Sequence, residues 1–318
     1  MDIENTIKAV KPDLSETTLK KYIGFIKKLH NLVTNTDEFK VSKNLKIINK
    51  DMSFLDDYDK VNNVLQSINP ANRKNYYSVI LILLDDKKDT DLYKKYEKDK
   101  QLNNLFLKTK KEDITQVNSE TQQEKIISLE EYDKLIELTG KDEKYRMDNL
   151  IFKILKYYPI RNEVGSFKLI TLEMFNKHIK DDIELKDNYL VIGKRKILMY
   201  RTNYKTANKY GNIENEIVQK DLKKSIRDYI NEFNKGEGDY FFLNSNDEPY
   251  SNDALSLRLA NTSNKLIGTK LSTSSIFKIL LANKEGSTKE ITDNIIKMSK
   301  IRPTNAETVI QNYVYEKK

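Results

Sequence analysis

Three separate segments of this chain carry residue types that can act on a phosphodiester. The first holds Arg161, just after an apolar helix and a proline, and the second runs from Asn203 to Gly211 and contains Lys205. The third is the C-terminal tail, with Tyr313 and Tyr315. Guanidinium groups bind phosphate, ammonium groups donate protons, and a tyrosine hydroxyl can be a nucleophile. Together they indicate phosphoryl chemistry, provided that the fold brings them to one place.

Each of these residues also has an ordinary interpretation when taken alone. Arg161 could form an ion pair with Glu163, and Lys205 is one of many lysines. Tyr313 could be a packing residue of a terminal helix. The functional interpretation therefore depends on the joint order of Arg161, Lys205, Lys278 and Tyr313 along the chain.

Other common catalytic signatures are missing from the sequence. It contains no P-loop, no G-x-G-x-x-G, no H-E-x-x-H and no G-x-S-x-G string, so we expect no nucleotide cofactor. There are no cysteines and only two histidines, His30 and His178, which argues against a disulfide framework and against a zinc site. We expect neither a cofactor nor a metal.

The charge of the chain favours a polyanionic partner without proving one. The 318 residues carry a formal net charge of +8, and 33% of them are charged. A basic surface attracts nucleic acid, although a Lys-rich and Asn-rich composition from an AT-biased genome would give the same balance. We find neither a signal-peptide apolar core nor an apolar run of about 20 residues. The expected protein is soluble and intracellular, with no membrane partner.

The N-terminal third is predicted to be helical. Apolar residues recur at helical spacing after Ser15 and after Asp59, and a helix that starts basic and ends apolar follows near Pro70. Residues 86–104 are predicted to form an exposed polar helix. Residues 109–127 lack apolar periodicity and are predicted to link a domain over 1–108 to a second domain over 128–318.

The second domain is predicted to be mixed. It opens with helices after the capping pair Ser128 and Glu131. A period-two pattern over Asn188–Tyr200, turned at Gly193, predicts a hairpin, and Ile213–Val218 could add a third strand. Further helices are predicted at 220–233, 252–267, 273–283 and 288–300. The chain is thus expected to be mainly α with a small antiparallel β-sheet.

In their order and strings, these segments resemble the tyrosine recombinase (integrase) family, most nearly integrase-like members from large DNA viruses and their mobile elements. Tyr158–Val164 is similar to a Pro-Pro-Arg-Arg-Asn-Asp-like string around that family's first arginine. Tyr204–Gly211 fits a Tyr-Lys-Thr-Ala-x-x-x-Gly-like string closely. The helix over Asn72–Leu84 resembles part of the family's core-binding domain. The resemblance spans nearly the whole chain.

The resemblance implies a role for each matched residue. Arg161 would clamp the scissile phosphate, Lys205 would protonate the leaving 5′ oxygen, and Tyr313 would attack to give a 3′-phosphotyrosine, with Tyr315 as the reserve choice. It implies a helical, SAM-like core-binding bundle followed by an α+β catalytic domain. It also implies a homotetramer on paired duplex DNA sites, acting where DNA is replicated, in a nucleus or a viral factory.

Two motif boxes depart from the family pattern. Ser275 and Lys278 stand where the family has His-x-x-Arg or Asn-x-x-Arg. Lys278 keeps the positive charge but lacks the two-pronged donor geometry of a guanidinium, which would cost ~2–4 kcal/mol of transition-state stabilisation. Ser275 cannot do the proton transfers of an imidazole. In the third box a Gly-His pair is replaced by the region ending at Lys300, with Arg302 as a possible substitute.

Three functions are therefore open from sequence. The first is an active recombinase or integrase, the second a DNA-binding relative that is catalytically weakened or inactive, and the third a basic helical protein that neutralises a packaged viral genome. The residues expected to contact DNA are Lys20, Lys21, Arg73, Lys74 and Lys209.

Overall fold

A computed structural model describes residues 2–36, 52–113, 126–282, 288–305 and 309. The chain divides into two compact units, an N-terminal unit of Met1–Thr115 and a C-terminal unit of Gln116–Lys318. Each unit has its own apolar core. Within the described residues, most of the structure is helical and the strands belong to one small sheet, so the expected fold class is confirmed.

The N-terminal unit is built around one central helix. Its elements are α1 (Ile3–Val10), α2 (Glu16–Thr34), α3 (Tyr58–Gln66), α4 (Pro70–Leu83) and α5 (Asp91–Asp113). The side chain of Asn69 caps α4, whose first residue is Pro70, and Tyr77 and Ile80 of that helix are fully buried. Helices α1, α2, α3 and α5 all pack against α4 because its second half is apolar on every side.

The long helix α5 differs in length from the prediction. It continues to Asp113, five residues into the segment that was expected to begin the linker at residue 109. The remainder of the predicted linker lies mostly outside the described residues. Charged side chains are good helix formers, so a polar sequence with weak apolar periodicity can still extend a helix that is packed at its start.

The C-terminal unit places helices around a four-stranded sheet. Its helices are α6 (Leu129–Gly140), α7 (Arg146–Tyr157), α8 (Leu172–Lys180), the one-turn α9 (Ala207–Tyr210), α10 (Lys220–Glu232), α11 (Asn252–Ile267), α12 (Thr273–Ala282) and α13 (Thr288–Ile301). Its strands are β1 (Lys168–Thr171), β2 (Tyr189–Ile192), β3 (Ile197–Arg201) and β4 (Ile213–Glu216). The predicted capping box of Ser128 and Glu131 is present at the start of α6.

The sheet is mixed, which corrects the expectation of an antiparallel one. The predicted hairpin β2–β3 and the added strand β4 are antiparallel, but β1 pairs with β2 in parallel. Helix α8 provides the crossover that a parallel pair requires. Successive residues of β2 face opposite sides: Leu190 lies in the main core of the unit, and Val191 packs beneath α8 with Phe175.

Candidate functional site

Arg161 lies where the chain leaves α7, and it presents a buried donor. It is half-buried, has an extended backbone, and precedes a 3-10 turn over Asn162–Ser166. Its Nη2 donates to the carbonyl oxygen of Pro303 at 3.3 Å. Its Nη1 is buried and has no hydrogen-bond partner within the part of the chain that the structure describes. A buried charged donor without a partner is costly, so this atom identifies a place for an acceptor.

The turn after α13 meets this arginine from the other side. Arg302 is only 2% exposed. Its Nη1 donates to the carbonyl oxygens of Ile160 at 3.2 Å and of Thr273 at 3.3 Å, and its Nη2 donates to Ser274 Oγ at 3.0 Å. These contacts join the end of α13 to the segment before Arg161 and to the start of α12.

Arg302 was offered as a possible substitute phosphate ligand. In the structure its guanidinium binds main-chain carbonyls and Ser274. Its guanidinium also stacks on the Phe277 ring, with 4.8 Å between Cζ and the ring centroid. A guanidinium that binds several main-chain carbonyls fixes the backbone around it. To bind a phosphate directly, Arg302 would have to give up some of these bonds.

The lysine string reaches the same turn. Thr206 Oγ1 donates to the Pro303 carbonyl at 3.1 Å, so Thr206 and Arg161 share one acceptor. Lys205, the neighbour of Thr206, is exposed. The loop that carries both residues is closed by Tyr204, whose hydroxyl donates to the Gly211 carbonyl at 2.6 Å, and Gly211 has a positive φ of 67°. The string therefore forms a compact loop with its lysine at the surface, beside Pro303.

The segment matched to the second box forms the first turns of α12. The Oγ atoms of Ser272 and Ser275 accept hydrogen bonds from each other's backbone N–H, at 3.1 Å and 3.3 Å, which is a reciprocal helix cap. Lys278 is half-buried and lies one helical turn after Ser274, on the same face of α12. Ser275 thus serves the helix start, while Lys278 shares a face with the residue that binds Arg302.

A buried ion pair that sequence reasoning missed lies behind Arg161. Arg201, the last residue of β3, is fully buried, and its Nη1 lies 3.1 Å from Glu163 Oε1. Its Nη2 donates to Asn215 Oδ1 at 2.8 Å and to the Ile301 carbonyl at 2.6 Å. Burial lowers the pKa of Arg201, and the charge of Glu163 opposes that shift. Glu163, suggested as a partner for Arg161, in fact forms its ion pair with Arg201.

The tail residues proposed for catalysis are only partly described. Tyr313 and Tyr315 lie outside the described residues. Lys300 is exposed at the end of α13, and Val309 is fully buried in the main core of the unit.

The residues predicted to contact DNA differ in their surroundings. Lys20, Lys21, Lys74 and Lys209 are exposed. Arg73 is half-buried, and all three of its guanidinium nitrogens donate to Gln66 or Ile68 at the end of α3, at 2.6 to 3.2 Å. Arg73 therefore caps a helix C-terminus, in contrast to its neighbour Lys74.

Three of the four predicted regions thus meet at one turn. The segment of Arg161, the loop of Lys205 and the start of α12 all contact Arg302 or Pro303. In this cluster Arg161 lies two residues before Glu163, whose carboxylate is paired with Arg201. The Nη1 of Arg161, which has no partner among the described residues, favours an anion here.

The described residues show no sign of a metal centre or of a membrane-spanning helix. They contain no group of three or more His, Cys, Asp or Glu side chains that could hold a metal ion. None of the helices described is both long enough and apolar enough to cross a membrane.

Comparison with known proteins finds similarity to solved structures. No protein-family model matches the chain, and no curated protein sequence matches it. A solved structure titled "Crystal structure of XerA recombinase" is similar with a TM-score of 0.41 and 12% sequence identity, over 99% of this chain and 94% of that one.

Proposed function

We propose that this chain breaks and rejoins duplex DNA in the manner of a tyrosine recombinase or integrase. The observation that carries the proposal is the shared carbonyl of Pro303, which accepts hydrogen bonds from both Arg161 and Thr206. The segment of Arg161 and the loop of Lys205 are far apart in the sequence. Both therefore contact the same main-chain carbonyl, and both carry side chains suited to phosphodiester chemistry.

In the proposed reaction, Arg161 holds the scissile phosphate. Its Nη1 lacks an acceptor among the described residues, and a nonbridging phosphate oxygen would supply one. A fork that binds two such oxygens also stabilises the charge that develops on the phosphorane-like transition state.

The bond changes balance without an external reactant. The phenol of Tyr313 releases its proton to solvent and its oxygen forms a bond to phosphorus while the bond from phosphorus to the 5′ oxygen breaks; Lys205, after protonating that oxygen, regains a proton from solvent. Lys205 gives a proton to the departing 5′ oxygen, and its exposed position beside Thr206 leaves it free to approach a strand from solvent. The 3′-phosphotyrosine keeps the energy of the bond, so the reverse attack by a 5′ hydroxyl rejoins the strand.

The partner is duplex DNA, and the assembly is a homotetramer on paired sites. Exposed lysines in both units (Lys20, Lys21, Lys74 and Lys209) supply the phosphate contacts. The similarity of the sequence strings to integrases of large DNA viruses and their mobile elements supports integration or excision of such an element. The protein would then act where that DNA is replicated, in a nucleus or a viral factory.

A second candidate is a DNA-binding relative with weak or no cleavage. It is favoured by Ser275, whose hydroxyl is engaged in the reciprocal cap with Ser272 and cannot replace an imidazole. It is also favoured by Lys278, which offers a point charge where a fork would bind two oxygens. This relative would grip DNA without forming the covalent intermediate.

Trapping the covalent intermediate distinguishes the two candidates. The full chain is incubated with a pool of labelled duplexes of random sequence, each nicked so that a short fragment leaves after cleavage. An active recombinase gives a labelled protein band that survives denaturation and vanishes in Tyr313→Phe but persists in Tyr315→Phe. Loss of the band only in Tyr315→Phe would move the nucleophile to Tyr315. Salt-sensitive DNA binding without any adduct would support the second candidate and reject the first.

A further inference from the structure

The buried side chain of Arg201 is unusual in both its cost and its position. Among the described residues it has the largest side chain that is fully buried. Removing a guanidinium from water is expensive even when a carboxylate is near, and apolar side chains of similar volume often stabilise a core better. The presence of this costly ion pair therefore suggests that Arg201 has a function other than stabilising the core.

The contacts of Arg201 reach the segments that form the candidate site. Glu163 lies two residues after Arg161, and Ile301 directly precedes Arg302 and Pro303. A third contact, to Asn215, fixes the guanidinium against the neighbouring strand β4. One rigid fork thus sets the distance between the Arg161 segment and the turn after α13.

The ion pair also determines which cation the carboxylate of Glu163 contacts. While Arg201 is present, the carboxylate of Glu163 has a buried partner at 3.1 Å. Without Arg201 that carboxylate would be left two residues from Arg161, with no other cation in ion-pair contact with it among the residues that the structure describes. It would then compete with a phosphate for the guanidinium of Arg161.

We propose that Arg201 is a positioning residue for the candidate site. It keeps Glu163 away from Arg161 and holds the Arg302–Pro303 turn against the Arg161 segment, without touching the substrate itself. This inference rests on the proposed function insofar as Arg161 is taken to bind a phosphate oxygen. It adds that the affinity of Arg161 for phosphate depends on a residue 40 positions later in the chain.

The test measures thermal unfolding midpoints with inorganic phosphate as the probe, at constant ionic strength and with chloride as the reference salt. A ligand that binds the folded state raises the midpoint. We expect phosphate to raise the midpoint of the wild type, and we expect Arg161→Ala to lose that rise. Arg201→Met should lose it as well, although Arg201 is fully buried and has no surface for a free phosphate.

A double variant separates positioning from folding. Arg201→Met combined with Glu163→Leu replaces the ion pair by apolar side chains, and it carries the test if Arg201→Met alone fails to fold. We expect its midpoint without phosphate to return towards the wild-type value, while the rise with phosphate stays well below that of the wild type. A full phosphate-dependent rise in Arg201→Met would overturn the proposal, because Arg161 would then bind without Arg201. A full rise in the double variant would reject the role of Arg201 in holding the Arg302–Pro303 turn and leave only its effect on Glu163.

The outcome can be told apart from failure of the proposed function. If the wild type forms no DNA adduct but its phosphate-dependent rise requires Arg201, the catalytic proposal fails and the positioning role stands. If the wild type shows no phosphate-dependent rise at all, the positioning role is rejected, whatever the adduct assay gives.

Discussion

The Nη2 atom of Arg161 lies 3.3 Å from the carbonyl oxygen of Pro303, although 142 residues separate the two in the chain. A main-chain carbonyl carries only a partial charge, so it satisfies a guanidinium less fully than a phosphate oxygen does. The neighbouring Nη1 has no acceptor at all among the described residues. This contact therefore leaves part of the binding capacity of Arg161 for a stronger anion.

Restoring the arginine fork in the second box should raise activity. Lys278 is half-buried on α12, on the same face as Ser274. We expect Lys278→Arg to increase the initial rate of adduct formation by roughly tenfold or more, which corresponds to about 1.4 kcal/mol of transition-state stabilisation. The measurement is the adduct assay with saturating DNA, and Lys278→Gln serves as the charge-removal control. An unchanged rate in Lys278→Arg would show that this position lies away from the phosphate.

Two adjacent basic residues should behave in opposite ways. Arg73 donates to the carbonyls of Gln66 and Ile68, whereas Lys74 is exposed. We expect Arg73→Gln to lower the free energy of unfolding by about 1–3 kcal/mol, because the charged hydrogen bonds to the Gln66 and Ile68 carbonyls are lost. We expect Lys74→Gln to leave stability unchanged and to reduce the slope of DNA affinity against salt by about one phosphate contact. Urea unfolding and salt-dependent binding are the two measurements, and the reverse result for the pair would contradict the assignment.

A methyl group at Gly165 should destabilise the turn that follows Arg161. A Cβ at this position would lie 2.9 Å from Tyr250 Cβ and 3.1 Å from Leu255 Cδ2, and the Gly165 carbonyl already accepts from the Tyr250 N–H. We expect Gly165→Ala to cost about 1–3 kcal/mol through overpacking, as measured by urea unfolding. The matched control is Gly24→Ala in the middle of α2, where nothing lies within 4 Å. That substitution should gain about 0.5–1 kcal/mol from helix propensity, so similar signs at both sites would refute the packing argument.

Two buried tyrosines should make the protein sensitive to alkali. Burial raises the pKa of Tyr77 to about 12 in the N-terminal unit, and it does the same for Tyr229 in the C-terminal unit. Because the folded pKa lies above the unfolded value of 10.0, the stabilisation is complete below pH 10.0 and is lost as the pH rises towards about 12. The loss approaches roughly 1.4 kcal/mol per pH unit for each residue.

Removing one phenol tests that pH dependence. We expect Tyr77→Phe and Tyr229→Phe each to flatten the fall of unfolding free energy in this alkaline range. The wild type, measured over the same pH range, is the reference for both variants. Equal slopes in the wild type and both variants would mean that neither buried phenol is coupled to unfolding.

Local signals made much of the fold predictable. The sequence predicted a helix over Asn252–Ile267, and the structure has the same bounds, because Ser251 caps its start and Gly268 ends it in the left-handed conformation. The hairpin β2–β3 followed from its period-two pattern and from Gly193. In contrast, β1 has only four residues, and its parallel pairing with β2 depends on contacts across a helical crossover. Such non-local pairing leaves little trace in a short strand.

The candidate site was predictable only where a string of residues marked it. Arg161 and Lys205 stood out through their neighbours in sequence, and the predicted approach of their segments is supported by the shared contact with Pro303. Arg201 gave no such signal, because it ends an apolar strand and owes its burial to Glu163, 38 residues earlier. Sequence reasoning offered Arg302 only as a possible substitute in the third box, and its carbonyl contacts become evident only when α12 and α13 are brought together.

The convergence on the Arg302–Pro303 turn has a consequence for biosynthesis. Segments near residues 160, 206 and 273 contact the Arg302–Pro303 turn, which is synthesised after all three of them. The N-terminal unit has a core of its own and can collapse while translation continues, since domains generally fold as units from the N-terminus. A nascent chain would thus acquire a folded N-terminal bundle well before the candidate site could form. Premature termination shortly before Ile301 would yield a polypeptide without the turn on which that candidate site depends.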